Sequence, residues 1–263
     1  MIQSVLKALD VMHVFSPAEP RLTLAEISGR LNLPKSTVHN LLNTLVSRGF
    51  IEKVDNDQYA LGTGLIPLTQ AVRVNSEIRD RAAPLLREMA DASKETVYFT
   101  VFEGNHVLYL YAVETKGRLM ARTAVGQRSP MHCTGVGKAI LSTLTTDHVD
   151  KIIGDCGLPA FTENTIIDPT KLHEELAICN KRGYALDRQE HELGTFCVGA
   201  AVRAVGNKAI GGCSISGTDP EIIGRRAPQL CSLLFYTAQE ISRQLGHIPR
   251  RPAKLLQVDT PQQ

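Results

Sequence analysis

The segment spanning residues 34–53, PKSTVHNLLNTLVSRGFIEK, constrains the fold more than any other part of the chain. Val38, Leu41, Leu42, Leu45 and Val46 recur at i, i+3, i+4, i+7 and i+8, the spacing of a helix that lays one apolar stripe on a core. Pro34 suits the first helical position, where its missing N–H would have no intrahelical partner, and Gly49 is a natural stop. Opposite the stripe stand Ser36, His39, Asn40, Asn43 and Ser47, short hydrogen-bonding side chains with no carboxylate among them. From Ser28 to Ile51 there is no Asp or Glu, while Arg30, Lys35 and Arg48 are present. Such a helix needs a core behind it and offers a polar, faintly basic face to a partner.

The flanking sequence supplies that core. Residues 2–15 carry an amphipathic spread of apolar positions, and TLAEISGRLN reads as a second helix, with Thr23 as cap and Glu26 completing a capping box. After the third helix, FIEKV and QYALG flank Asp55-Asn56-Asp57, a turn triplet between two short alternating runs, which predicts a β-hairpin. Helix, helix, recognition helix and hairpin describe a winged helix-turn-helix over residues 1–63.

The remaining chain is long enough for a larger second domain. LIPLTQAVRVNSEIRDRAAPLLREMADAS is helical in pattern and broken near Pro67 and Pro84, giving a linker helix at residues 64–78 and a first domain helix at 79–93. Within residues 79–248 strands and helices alternate in an α/β order. VYFTVFE and HVLYLYAVE form a hairpin over Gly104-Asn105, LMARTAV reads as a strand, and GKAILSTL as a helix entered from a glycine-containing loop. Residues 169–182 are helical in pattern, CVGAAVRAV and AIGGCSIS form a second hairpin over Gly206-Asn207, and PQLCSLLFYTAQEISRQL is a long closing helix. The Pro/Arg/Gln-rich residues 249–263 read as a flexible tail. The fold class is therefore α/β (α+β).

A net charge of +2 does not by itself announce a nucleic-acid binder, so local charge has to decide. The amino terminus lacks the uninterrupted apolar run of a signal peptide, and no stretch has the length of a membrane span. Six scattered cysteines without CxxC pairs read as reduced thiols. A soluble cytoplasmic protein is expected.

LPKSTVHNLLNTLVSRGFI, SPMHCTGVGKAIL and RGYALDRQEHELGTFCVGAAV occur in that order. They resemble, respectively, the recognition-helix segment, the loop and helix after the effector-domain hairpin, and the effector-pocket strand with its lead-in, of the IclR family of bacterial transcriptional regulators. The resemblance covers nearly the whole chain. It implies an amino-terminal winged helix, a GAF-like carboxy-terminal domain that binds a small molecule, and assembly as a homodimer or dimer of dimers.

A recognition helix needs phosphate contacts to set its register and short polar side chains to reach base edges in the major groove. Lys35, Arg48 and, in the hairpin, Lys53 are the phosphate candidates; Ser36, Thr37, His39, Asn40 and Asn43 are the base-edge candidates. The expected partner is a pseudo-palindromic double-stranded DNA operator. Where family members commonly carry Arg after the STVH stretch, this chain has Asn40, which favours adenine over guanine if that side chain reads a base. The alternative is a small helical interaction domain whose polar face is simply solvated.

For the second domain, the resemblance places effector contacts on Gly135 and Val136 in the loop before the GKA helix, on Asp187 and Cys197, and on Ser214 with Ser216. The two serines alternate with Ile215 and share one strand face. Backbone N–H groups from Gly135 to Gly137 at a helix entrance make an anion site, suited to a small carboxylate or keto acid. Asp187 would repel such an anion unless burial protonates it or it accepts from a ligand hydroxyl, which points to a hydroxy acid or sugar acid; alternatively it only turns the chain. Asp187, His191 and Cys197 also invite a cysteine-hydrolase reading, against which Cys197 opens an apolar strand where a cysteine packs as a small hydrophobe. His132 and Cys133, with Cys197 or Cys213, raise a metal site that no ligand spacing supports. No catalytic residue, metal or cofactor is expected. The sequence reads as a repressor of a catabolic operon, sensing a small organic acid. The alternatives are a metal or redox sensor, or a cysteine enzyme with an appended DNA-binding domain.

Overall fold

The computed structural model describes residues 1–16, 18–72, 77–114 and 125–248, with backbone alone at positions 78 and 79. Contacts divide the chain into two units, Met1–Ser76 and the residues from Glu77 onward.

The first unit packs α1 (Gln3–His13), α2 (Leu24–Leu31) and α3 (Lys35–Ser47) against a three-stranded sheet. The capping box forms as the sequence suggests: Thr23 Oγ1 accepts from the Glu26 N–H, and the Glu26 carboxylate accepts from the Thr23 N–H at 2.7 Å. Asn32, left-handed at φ 50°, ends α2. Pro34 is the N-cap of α3 and not its first helical residue, because its ψ of 140° is extended. Val38, Leu42 and Leu45 are buried with Val11, Phe15, Leu22, Ile27, Ile51 and Tyr59, and Leu41 packs on their rim. Val46 is exposed, so the stripe is one position narrower than its spacing suggested. Gly49 follows the helix at φ 72°.

The wing is β2 (Ile51–Val54) and β3 (Gln58–Leu61), antiparallel with Val54 opposite Gln58, and its turn places Asn56 and Asp57 in the left-handed region. A two-residue strand β1 (Leu22–Thr23) adds to β3. Two residues are too few to show alternation, which is why the sequence did not reveal it. Helix α4 (Leu65–Ala71) continues through Pro67, whose missing N–H falls in the first turn, where no intrahelical partner exists. The break expected there is absent. The stretch 73–76 of the expected linker lies outside the described residues.

The second unit opens with a π-helical turn, Ile78–Ala82, running into α5 (Ala83–Ser93) with Pro84 in its first turn. Its strands are β4 (Thr96–Glu103), β5 (His106–Val113), β6 (Arg128–Pro130), β7 (Ala185–Arg188), β8 (Phe196–Arg203) and β9 (Ala209–Gly217). They form one sheet in the order β6-β5-β4-β9-β8-β7, every described pairing antiparallel. Both expected hairpins are present, turning at Gly104 and at Gly206-Asn207 with positive φ. Residues 119–124 of the expected LMARTAV strand, and the tail 249–263, lie outside the described residues.

Helices α6 (Gly135–Leu141), α7 (Thr146–Cys156), α8 (Pro169–Arg182) and α9 (Ala227–Gln244) complete the unit. Helix α7 was not foreseen, although Val149, Ile152 and Ile153 fall at i, i+3 and i+4 and pack on the core. The core gathers Tyr98, Val107, Tyr109, Met131, Val136, Ile140, Leu141, Leu172 and Leu176. Arg226, at the start of α9, bonds Glu95 at 2.6 Å, Asp219 at 3.0 Å and the Ser93 carbonyl at 2.7 Å, tying α9 to the end of α5. Helix α6 starts directly against β8, since a Cβ on Gly199 would lie 2.4 Å from the Gly135 carbonyl carbon and the Val136 nitrogen. Only glycine permits that approach.

Candidate functional site

On the first unit, Lys35, Ser36, His39, Asn40 and Asn43 are exposed on α3 and Thr37 is half-buried. His39 and Asn43, one turn apart, are hydrogen-bonded at 3.3 Å. The Asn40 side chain makes no hydrogen bond among the described residues, so its amide is available to an adenine edge. Arg48 is exposed at the C-cap of α3. Lys53 is held by Asp57 across the wing turn at 2.6 Å, and that carboxylate pushes its pKa up while offsetting its charge. Arg30 is engaged by both oxygens of Glu19 at 2.7 and 3.0 Å. Lys35 and Arg48 are therefore the cations of the acid-free segment with no carboxylate partner among the described residues.

On the second unit, the six residues Gly135, Val136, Asp187, Cys197, Ser214 and Ser216 converge on one cavity of about 360 Å³. Ser214 and Ser216 project from β9, Cys197 from β8 opposite Ser216, and Asp187 from β7 opposite Cys197. Gly135 and Val136 form the first turn of α6, not the loop before it, with Thr134 as N-cap. The anion site expected there is smaller than three N–H groups. The Gly137 N–H donates to Thr134 Oγ1 at 3.2 Å and the Gly135 N–H to the Cys197 sulfur, leaving the Val136 N–H as the free first-turn donor among the described residues.

Sequence reasoning missed Thr96, Tyr98, Tyr109, Thr134, Thr195 and Thr218, which add hydroxyls to the wall. Tyr98 packs edge-on against Tyr109 with centroids 5.2 Å apart and stands opposite Ser214 in the sheet. Only the register between β4 and β9 reveals that neighbour, and register is not written in either strand alone. Burial pushes the Tyr98 hydroxyl up to about 12, so it stays a neutral donor. Among the described lining residues there is no Lys or Arg, while Asp187 and Glu192 are acids.

Asp187 turns the chain and also lines the cavity. Its carboxylate accepts from the Glu190 N–H at 2.7 Å and from the His191 N–H, turning the chain, and it also faces the cavity. Burial pushes its pKa up to about 7, so it carries a proton through the acid range. Behind it, fully buried Lys138 of α6 bonds Glu190 Oε1 at 2.5 Å and lies 4.0 Å from Glu175, while Glu190 Oε2 has no hydrogen-bond partner among the described residues. The ion pair pins the turn after β7 to α6.

Two family models match the chain. The IclR helix-turn-helix domain covers residues 4–55, and the bacterial transcriptional regulator IclR C-terminal domain covers residues 70–243, more than half of the sequence. The chain belongs to the IclR family of bacterial transcriptional regulators. It is similar to the HTH-type transcriptional regulator BhcR of Paracoccus denitrificans, at 32% identity over 253 residues, 96% of this chain and 90% of that one. The transcriptional repressor IclR of Escherichia coli is 28% identical over 248 residues, 93% and 90% of the two chains. The crystal structure of an IclR homolog complexed with 4-hydroxybenzoate from Microbacterium hydrocarbonoxydans shares the fold, with a TM-score of 0.83 at 21% identity over 92% of this chain and 98% of that one.

As an IclR-family regulator the chain binds DNA through its helix-turn-helix domain and an effector through its carboxy-terminal domain. These relatives are regulators, not enzymes, and the cavity's chemistry agrees. Burial drives the Cys197 thiol far above its ordinary pKa, the reverse of an activated nucleophile. His132, half of the weighed metal pair, instead hydrogen-bonds the Pro159 carbonyl at 3.1 Å. Among the described residues no three His, Cys, Asp or Glu side chains gather as a metal site, and no helix is long and apolar enough to cross a membrane.

Proposed function

We propose that this regulator is a cytoplasmic repressor of a catabolic operon, released or reset by a small hydroxylated organic acid bound beside Asp187. One observation supports the effector class above others: besides Thr134, whose hydroxyl is taken by Pro130 and Gly137, the cavity is lined by seven hydroxyl side chains, Thr96, Tyr98, Tyr109, Thr195, Ser214, Ser216 and Thr218, and by no basic side chain among its described residues. A multiply charged acid would find no counter-ion there. A single carboxylate can use the Val136 N–H and the serine hydroxyls, each such bond contributing about 1.5–3 kcal/mol. Ligand hydroxyls then meet Asp187 and the tyrosines, as acceptor and donors.

On DNA, Lys35 and Arg48 set the register on phosphates, with Lys53 once it leaves Asp57, while Ser36, Thr37, His39, Asn40 and Asn43 read base edges. Two such helices in a homodimer, or four in a dimer of dimers, fit half-sites of a pseudo-palindrome. A near-complete switch needs about 5.5 kcal/mol of differential effector affinity, the scale of two or three charge-assisted hydrogen bonds.

The test is a thermal-shift panel of hydroxy acids, sugar acids, keto acids and dicarboxylates on the full chain, repeated with Asp187→Asn and Ser214→Ala, followed by operator release with each hit. Stabilisation follows RT ln(1 + [L]/Kd), so modest affinity is visible. A dicarboxylate outranking every hydroxy acid, or hits indifferent to both substitutions, would remove the reading.

A further inference from the structure

A second cavity of about 340 Å³ opens in the carboxy-terminal unit and shares no lining residue with the effector pocket. It lies where the later turns of α6 and α8, the end of β8 and the last half of α9 meet. Its charge is unusual. Arg203, half-buried at the end of β8, donates to the Asn207 carbonyl at 3.1 Å and has no carboxylate partner among the described residues. The register of β8 against β9 shifts between Val202 and Arg203, a bulge of the kind that re-aims a side chain. The one acid lining the cavity, Glu240, is taken by Arg243 at 2.6 Å, and α6 and α8 bring no charged lining residue. The Arg203 charge is therefore uncompensated, and burial lowers its pKa accordingly.

His247, just beyond α9, also lines the space, and its Nδ1 is buried without a hydrogen-bond partner among the described residues. Phe235 and Tyr236 add aromatic surface, Tyr236 being largely exposed at the wall. A guanidinium without a carboxylate partner among the described residues and two rings are the parts that recognise a flat acid: the fork binds the carboxylate and the rings cover the body.

We propose that this cavity is a second ligand site, which takes a small monocarboxylate with a flat apolar body, its carboxylate on Arg203 and its body against Phe235 and Tyr236. The site is independent of the effector pocket, so its existence does not depend on the identity of the primary effector. Because α6 and β8 each line both cavities, one at either end, occupancy here bears on the same two elements that hold Gly135, Val136 and Cys197.

The experiment titrates benzoate into the full chain while following by NMR the backbone N–H resonances of Ala201 and Tyr236, which line the cavity and persist in every variant, with acetate and inorganic phosphate as parallel arms, and locates 4-bromobenzoate in crystals by bromine anomalous scattering. The expected result is a saturable benzoate shift, at least tenfold weaker in Arg203→Gln, within about threefold in Ser214→Ala, and at least tenfold tighter than acetate, with bromine in the Arg203 cavity. Arg203→Lys, which keeps the charge, retains part of the affinity and guards against a misfolded Gln variant. No saturable shift, a shift indifferent to Arg203→Gln, or bromine only in the effector pocket overturns the site. Phosphate outcompeting benzoate overturns the ligand class. A change in sedimentation on Arg203→Gln without any benzoate response would mean that a second copy fills the cavity, and would also overturn it.

Discussion

Asp187→Asn tests the chemistry of the proposed effector pocket most directly. In the folded chain burial holds the Asp187 carboxyl at about 7, against an ordinary value of 3.8. Between those values the folded chain keeps a proton that the unfolded chain has released, so folding is favoured at the acid end and this contribution is lost as pH rises through 7. Three pH units at about 1.4 kcal/mol each give a loss of about 4 kcal/mol from pH 4 to pH 8. Asparagine does not titrate, and its Oδ1 can still accept from the Glu190 N–H. The stability difference between variant and parent should therefore move by about 4 kcal/mol in favour of the variant over that range. The chain has six Tyr and no Trp, so denaturant unfolding is followed by circular dichroism and tyrosine fluorescence at half-unit pH steps. Titrating groups with no charge coupling to Asp187 cancel in the difference. Parallel stability curves, or a variant that gains toward acid, would refute the buried, proton-holding carboxyl.

The other expectations concern single contacts. Lys138→Met should cost about 3–5 kcal/mol in denaturant unfolding, since it leaves Glu190 buried without its cation; a loss under 1 kcal/mol would mean that water reaches Glu190. Gly199→Ala drives a Cβ into the Gly135 and Val136 backbone and should cost about 1–3 kcal/mol while weakening effector-induced thermal shifts; an unchanged ligand response would count against that wall as a contact surface. Asn40→Ala should lose about 1–3 kcal/mol on operator and relax preference at one base, whereas Lys35→Ala should weaken all sequences alike and reduce the salt slope by about 1; equal losses on operator and random DNA for Asn40→Ala would end its base-reading role. Thr23→Ala should remove about 1 kcal/mol from the first unit by breaking the capping box, measurable as a lower melting point with the effector response intact.

What the sequence made legible follows the range of each interaction. The capping box, the Asp55–Asp57 turn and both Gly-Asn hairpins are decided within a few residues, and those elements were readable. Strand β1 gains its order from pairing with a distant segment and left no local pattern, whereas the three apolar positions of α7 were a local signal that went unused. Val46 fits a helical stripe by spacing, yet the core ends one position short of it. The same limit governs the pocket. Six of its residues were reached through a family resemblance, while Tyr98 and Tyr109 enter only through strand register. Arg203 gave no signal at all, because its isolation depends on which carboxylates other helices already hold.

The glycine contact between α6 and β8 divides the proposed effector pocket into two kinds of wall. Gly135 and Val136 present backbone, fixed by a strand with no side chain in between, whereas Thr96, Tyr98, Ser214 and Ser216 present side chains on a sheet whose register does not depend on them. Selectivity can be rewritten on the second wall without disturbing the first. An engineer seeking a biosensor for another acid would leave the helix start alone and randomise the four strand positions, treating the protein as a socket with one permanent contact and an exchangeable face.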